Sequence, residues 1–218
     1  LLSGNGRDQT VLLVVMSSDR GLCGGFNANL MRFVRHEIRA LENAGKTVKI
    51  MAVGRKGRDN LKRDFGDKII DAVMGVGGKS VPSFDEARRV ADTVLTGFSA
   101  DQYDRVVLVF NQFKSVLTQK PTAQQIIPFD VTAGQGVGPA NDKGSGAPHP
   151  SPLPASGERG SLAAPYIYEP GEEEILAQLL PRGVAVQMFR AMLDSAAGEQ
   201  AARMTAMDNS TRNAGDMI

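Results

Sequence analysis

The sequence predicts an α/β fold: an open, largely parallel sheet with flanking helices, joined to one long C-terminal helix. Three observations lead to it. Short apolar runs at residues 11–18, 48–54 and 105–111 are separated by stretches of helical periodicity, the rhythm of strands linked by crossover helices. The first run, Val11-Leu12-Leu13-Val14-Val15-Met16, is continuously apolar and rich in β-branched residues, as befits a strand buried on both faces. From Arg182 to Ile218 there is no proline, and apolar residues return every three or four positions. The sheet is therefore read as Rossmann-like, over residues 1–130, with the long helix over 182–218.

Between the first strand and the first helix lies Ser17-Ser18-Asp19-Arg20-Gly21-Leu22-Cys23-Gly24-Gly25-Phe26-Asn27. A strand, a glycine turn and a helix N-terminus can together bind an anion, because free backbone N–H groups and the helix dipole point at one place. The spacing fits neither phosphate motif. G-x-x-x-x-G-K-[ST] needs a lysine and a hydroxyl after its last glycine, whereas Gly25 is followed by Phe26 and Asn27, and G-x-G-x-x-G is absent. The turn is read as structural: Gly21, Gly24 and Gly25 let chain and helix approach closely, and Asp19 and Arg20 fix the turn or meet a neighbouring subunit. The alternative is a nucleotide- or anion-binding α/β enzyme that uses Gly21–Gly25.

Leu30, Phe33, Val34, Ile38 and Leu41 then mark one face of a helix ending near Ala44-Gly45, whose other face carries Arg32, Arg35, Glu37 and Arg39. After the second strand, Arg55-Lys56-Gly57-Arg58 reads as a solvated helix start. Ser83 with Glu86 has the form of a capping box ahead of the stripe Ala87, Val90, Ala91, Val94 and Leu95. Val106–Phe110 is a third strand, and Thr122 to Phe129 a further candidate. Residues 131–165 are dominated by Gly, Pro, Ser and Ala and are read as a flexible insertion, with too little apolar surface to offset ordering entropy. Residues 166–181 close the domain and connect it to the last helix. Pro181 suits a helix start, where its missing N–H costs nothing. Phe189, Leu193, Ala196, Gln200, Met204, Met207, Thr211, Ala214 and Ile218 form one stripe along that helix. A helix of roughly 55 Å is too long for a compact domain, so it must project or pair with another helix.

Composition narrows the function. Across 218 residues, 25 basic and 24 acidic side chains give a net charge of +1, so no overall field draws in nucleic acid or an acidic membrane. The single cysteine, Cys23, excludes an intrachain disulfide framework and cannot build a metal site. His36 and His149 have no ligand or base partner nearby in sequence. No catalytic residue, cofactor or metal is expected. No apolar run approaches the roughly 18 residues needed to span a bilayer, and the opening Leu1-Leu2-Ser3-Gly4-Asn5-Gly6 lacks signal-peptide architecture. The chain begins without Met and stops inside a helical pattern, which reads as an internal portion of a longer protein.

Two distant motifs now act together. Ser18-Asp19-Arg20-Gly21-Leu22-Cys23-Gly24-Gly25-Phe26-Asn27, and Glu199-Gln200-Ala201-Ala202-Arg203-Met204-Thr205-Ala206-Met207 through Asn213-Ala214-Gly215, closely resemble the gamma-subunit family of F-type ATP synthases. Tyr166-Ile167-Tyr168-Glu169-Pro170 and Leu179-Leu180-Pro181-Arg182 resemble the same family in the right order. The resemblance implies a non-catalytic central-stalk rotor that couples proton-driven rotation of a membrane ring to conformational change in catalytic subunits. Its implied partners are the alpha and beta subunits, the epsilon subunit and the c-ring, with membrane contact only through the complex and no nucleic acid. It places the chain on the cytoplasmic face of the bacterial inner membrane, or the equivalent matrix side in mitochondria. It also implies that the last helix joins an antiparallel coiled coil, that Glu199 and Arg203 face the catalytic subunits, and that Tyr166, Tyr168 and Glu169 form the foot of the shaft. By their i, i+4 spacing alone, Glu199 and Arg203 are a helix-surface ion pair. Family members begin with a long N-terminal helix and extend the last helix past this motif; this sequence has neither part.

Overall fold

A computed structural model describes residues 6–76, 81–129 and 172–217. Its centre is β1 (Thr10–Met16), which pairs in parallel with β2 (Thr47–Val53) on one side and β4 (Arg105–Phe113) on the other. β3 (Ile69–Val73) adds in parallel to β2, and β5 (Gln119–Ile127) returns antiparallel along β4. The order is β3-β2-β1-β4-β5, an open doubly wound sheet with one antiparallel edge.

The uninterrupted apolar run of β1 is explained by the two layers it separates. Val11, Leu13 and Val15 pack with Leu30, Val34 and Ile38 of α1 (Phe26–Asn43) and Leu61 of α2 (Arg55–Phe65). Leu12, Val14 and Met16 point the other way, into Val90 and Val94 of α3 (Phe84–Ser99) and Val184, Met188 and Met192 of α4 (Glu172–Asp216). Each such fully buried side chain contributes about 1.5–3 kcal/mol of transfer free energy, so β1 carries much of the core. Local signals agree with this packing. α1 stops at Asn43 and Gly45 follows with φ +75°. α3 opens on the expected capping box: Glu86 N donates to Ser83 Oγ at 3.2 Å and Ser83 N donates to Glu86 Oε2 at 2.7 Å.

Three features differ from the sequence reading. β3 was not anticipated, because this short edge strand, Ile69-Ile70-Asp71-Ala72-Val73, buries none of its side chains fully and carries no clean apolar signal. α4 begins at Glu172, so Pro181 lies inside the helix and not at its start. Proline removes the one hydrogen bond that residue 181 would donate to the Ala177 carbonyl, a loss offset by the buried packing of Val184, Ala185 and Met188 just beyond it. Third, α4 has two adjoining stripes. The buried one is Val184, Ala185, Met188, Ala191, Met192, Ser195 and Ala201. The expected one starts half-buried at Phe189, Leu193 and Ala196 and continues in solvent through Gln200, Met204, Met207, Thr211 and Ala214. The 45 residues of α4 extend about 68 Å, and every residue from Met207 to Met217 is exposed, so the helix does leave the domain.

Residues 131–165, together with Tyr166, Tyr168 and Glu169, lie outside the described residues. Among the described residues no helix is long and apolar enough to cross a membrane.

Candidate functional site

The glycine turn and the C-terminal motif, far apart in sequence, meet in space. In doubly wound sheets ligands bind outside the carboxyl ends of the strands, where the strand order reverses. Here that place lies between β1 and β4, and α4 fills it. Ser195 Oγ donates to the Met16 carbonyl at 3.4 Å, at the end of β1. Gly198 follows one turn on: a methyl group there would lie 3.1 Å from Gln119 Cγ and 3.2 Å from Phe26 Cε2, tighter than an ordinary van der Waals contact, so those side chains would have to give way by a few tenths of an ångström. Glycine inside a helix costs up to about 1 kcal/mol relative to alanine, and this close approach is what it allows. Gly24 stands at φ +53° with its α-carbon side facing α4, 3.8 Å from Ala206 Cβ for an added methyl.

Arg203 closes the contact. Its Nη2 donates to Glu199 Oε1 at 2.5 Å and to the Gly21 carbonyl at 3.4 Å, and Nη1 donates to Gln200 Oε1 at 3.0 Å. The two charged side chains are only 21% and 18% exposed, so the i, i+4 pair is turned toward its own domain. Glu199 also lines, with Ser17, Val53, Pro82 and Ser195, a residual cleft of only about 30 Å³. A pocket for a small-molecule ligand needs about 300 Å³ or more, so this cleft is an order of magnitude too small for a nucleotide.

The turn's own polar groups are committed as well. Asp19 Oδ1 accepts from Arg55 N at 2.8 Å and Oδ2 from Gly75 N at 2.9 Å, so its carboxylate caps α2 and ties down the loop after β3. Ser17 Oγ accepts from Gly57 N at 2.7 Å. Asn27 braces the turn internally: its Oδ1 accepts from Ser18 N at 3.2 Å, and Nδ2 donates to Ser18 Oγ at 2.7 Å and to Cys23 Sγ at 3.2 Å. Farther along the contact, burial raises the Asp194 carboxyl above its usual range, against the opposing pull of Arg190 and Lys114. Among the described residues no group of three or more His, Cys, Asp or Glu side chains could hold a metal ion.

The sequence reading took Asp19, Gly21 and Gly24 as a structural turn and Glu199 and Arg203 as a partner interface; the fold brings the two groups together at the Gly21 carbonyl and the Gly24 face of α4. Arg20 contributes its carbonyl, which accepts from Ser18 Oγ at 2.6 Å. Gly21 and Gly25 do not require a left-handed conformation; Leu22 takes one, at φ 61°, and is exposed. Ser17, Asn27 and Gly198 were missed. Of these only Gly198 left a signal, as a glycine interrupting a strong helical pattern.

Among the described residues, the ligand crevice of this doubly wound domain is filled by its own projecting helix, an arrangement suited to a mechanical module. A family model described as ATP synthase matches residues 1–218, and the chain belongs to the ATP synthase gamma family, non-catalytic subunits of the central-stalk rotor. The ATP synthase gamma chain of Rhodospirillum rubrum is 47% identical over 218 residues, spanning 100% of this chain and 68% of that protein. That of Gluconacetobacter diazotrophicus is likewise 47% identical, over 100% of this chain and 67% of its own. Among solved structures, a chain of the Tetrahymena thermophila mitochondrial ATP synthase central stalk and c-ring superposes with a TM-score of 0.67 at 26% identity, covering 95% of this chain and 79% of that one. A chain of the Euglena gracilis mitochondrial ATP synthase rotor shares the fold, with a TM-score of 0.64 at 21% identity over 99% of this chain and 75% of that one.

Proposed function

We propose that this chain turns within the central stalk, coupling proton-driven rotation of a c-ring to ATP synthesis or hydrolysis in the alpha and beta subunits, which hold the catalytic sites. The observation that carries this reading is α4: clamped to its domain at Gly21, it then continues into solvent with Met204 and Met207 exposed along one stripe. Exposed methionines suit adaptable packing against partner surfaces, here a second helix of a coiled coil and the bearing of the catalytic subunits. Glu199 and Arg203 stand where α4 leaves the domain, and their remaining exposed edges face the catalytic subunits. Tyr166, Tyr168 and Glu169 form the foot that meets the c-ring and the epsilon subunit. Residues 1–130 form the globular part, 131–165 are an insertion, 166–181 end that part and connect it to the shaft, and 182–218 supply the shaft, whose helix already starts at Glu172. The assembly sits at the cytoplasmic face of the bacterial inner membrane.

The test is made with the full-length protein in its native complex. Affinity-tagged protein should co-purify with the alpha, beta and epsilon subunits, and inverted vesicles carrying it should acidify on addition of ATP. Recovery as a lone monomer from native extract would overturn the reading.

A further inference from the structure

On the sheet face away from α4, a groove of about 500 Å³ runs between α1 and α2. Arg32, Arg35, His36 and Arg39 of α1 line it, with Asn60 on the α2 side and apolar surface from Ala28 and Met31. The four basic residues occupy positions i, i+3, i+4 and i+7, a row about 10 Å long on one helix face. The three arginine charges at this spacing repel, and the domain relieves only part of that repulsion. Arg35 Nε donates to Asp64 Oδ2 at 3.0 Å and Arg35 Nη2 to the Asn60 carbonyl at 3.3 Å. His36 Nδ1 lies 3.7 Å from Glu37 Oε1. Arg32 and Arg39 are exposed and make no hydrogen bond or ion pair with any described residue.

We propose that this groove docks an acidic helix of a partner protein, with carboxylates repeating at i, i+3 or i+4, and i+7 opposite Arg32, Arg35 with His36, and Arg39. The proposal is independent of the rotor reading. Two ends of the cation row are uncompensated, so an approaching carboxylate gains attraction without first displacing an internal partner. The row has helical periodicity, so a second helix matches it residue for residue. Nucleic acid fits poorly: the chain's net charge is +1, and the groove lining holds no Phe, Tyr or Trp as a stacking platform, only His36. A lipid surface fits poorly too, since Glu37, Asp59 and Asp64 interrupt the basic face and a plane does not enter a groove.

The experiment uses the full-length protein and a fluorescein-labelled alanine-based helical peptide with glutamate at i, i+3, i+4 and i+7 and one leucine beside them. Anisotropy should saturate at micromolar protein and weaken with added salt. The R32E/R39E variant should bind about tenfold or more weakly, with R32Q/R39Q intermediate, because the rim charges are lost without touching the core. The same peptide with glutamine in place of glutamate should not bind. Circular dichroism melts of both variants should overlay the wild type; if R32E/R39E fails to fold, R32Q/R39Q carries the comparison. The proposal is overturned by equal binding in the variants, by equal binding of the glutamine peptide, or by no binding of the glutamate peptide. Saturable binding of phosphatidylserine vesicles or a single-stranded oligonucleotide at this groove in preference to the peptide would overturn it equally.

Discussion

Replacing Arg203 by alanine tests whether the shaft is clamped to the domain at the glycine turn. The side chain makes an i, i+4 ion pair with Glu199 in the favourable order, Glu before Arg, worth about 0.5 kcal/mol. Its hydrogen bond to the Gly21 carbonyl is long at 3.4 Å and contributes about 0.5 kcal/mol. Its aliphatic stem is mostly buried, adding about 1 kcal/mol. Arg203→Ala should therefore destabilise the folded chain by about 2 kcal/mol in urea unfolding, shifting the midpoint by about 1 M at an m-value near 2. Arg203→Lys keeps the charge but loses the planar fork that reaches Glu199 and Gly21 at once, and should cost about half as much. In the assembled complex, ATP-driven proton pumping should fall more than ATP hydrolysis, because torque is lost where α4 leaves the domain. A stability change below about 0.5 kcal/mol, the level of an exposed pair, would remove the clamp. Full destabilisation with an unchanged ratio of pumping to hydrolysis would leave the contact structural and refute its place in coupling.

Other outcomes follow from the same geometry. Asp19→Ala removes two bonds from backbone N–H groups and a charge at the start of α2, and should cost about 2–3 kcal/mol in chemical denaturation; Asp19→Asn, which keeps an acceptor for one of them, should recover about half. The Tyr103 hydroxyl is buried, donates to the Val94 carbonyl at 2.6 Å, and has its pKa pushed up to about 12 by burial. The folded chain thus holds that proton more tightly than the unfolded chain, so the stability is complete below pH 10 and is lost as pH rises toward 12; Tyr103→Phe should remove this component of alkaline unfolding, and an identical alkaline profile would refute it. Met204→Ser with Met207→Ser, at exposed positions, should leave chain stability within about 0.5 kcal/mol while reducing recovery of the catalytic subunits in a pull-down.

The sequence by itself determined the strands that carry the core and the helices whose ends have chemical markers. β1 announces burial on both faces, because no polar residue interrupts Val11–Met16. Ser83 and Glu86 announce the start of α3, because a capping box is a contact within one turn. It also showed that the glycine turn lacks phosphate-motif spacing, since that test needs only neighbouring residues. β3 and the early start of α4 were not legible: one is a short edge strand with little burial, and the other is a helix whose packing outweighs its proline. Only the tertiary structure decided what the turn is for. Whether Gly24 faces a ligand or a helix, and whether Arg203 faces solvent or the Gly21 carbonyl, depends on atoms 182 residues apart in the chain brought within hydrogen-bond reach. Small residues such as Gly198, Ala202 and Ala206 carry almost no hydropathy signal, yet they are what lets α4 lie in the crevice. Local patterns record a residue's neighbours in sequence; close approach between distant backbones is fixed by how the layers stack.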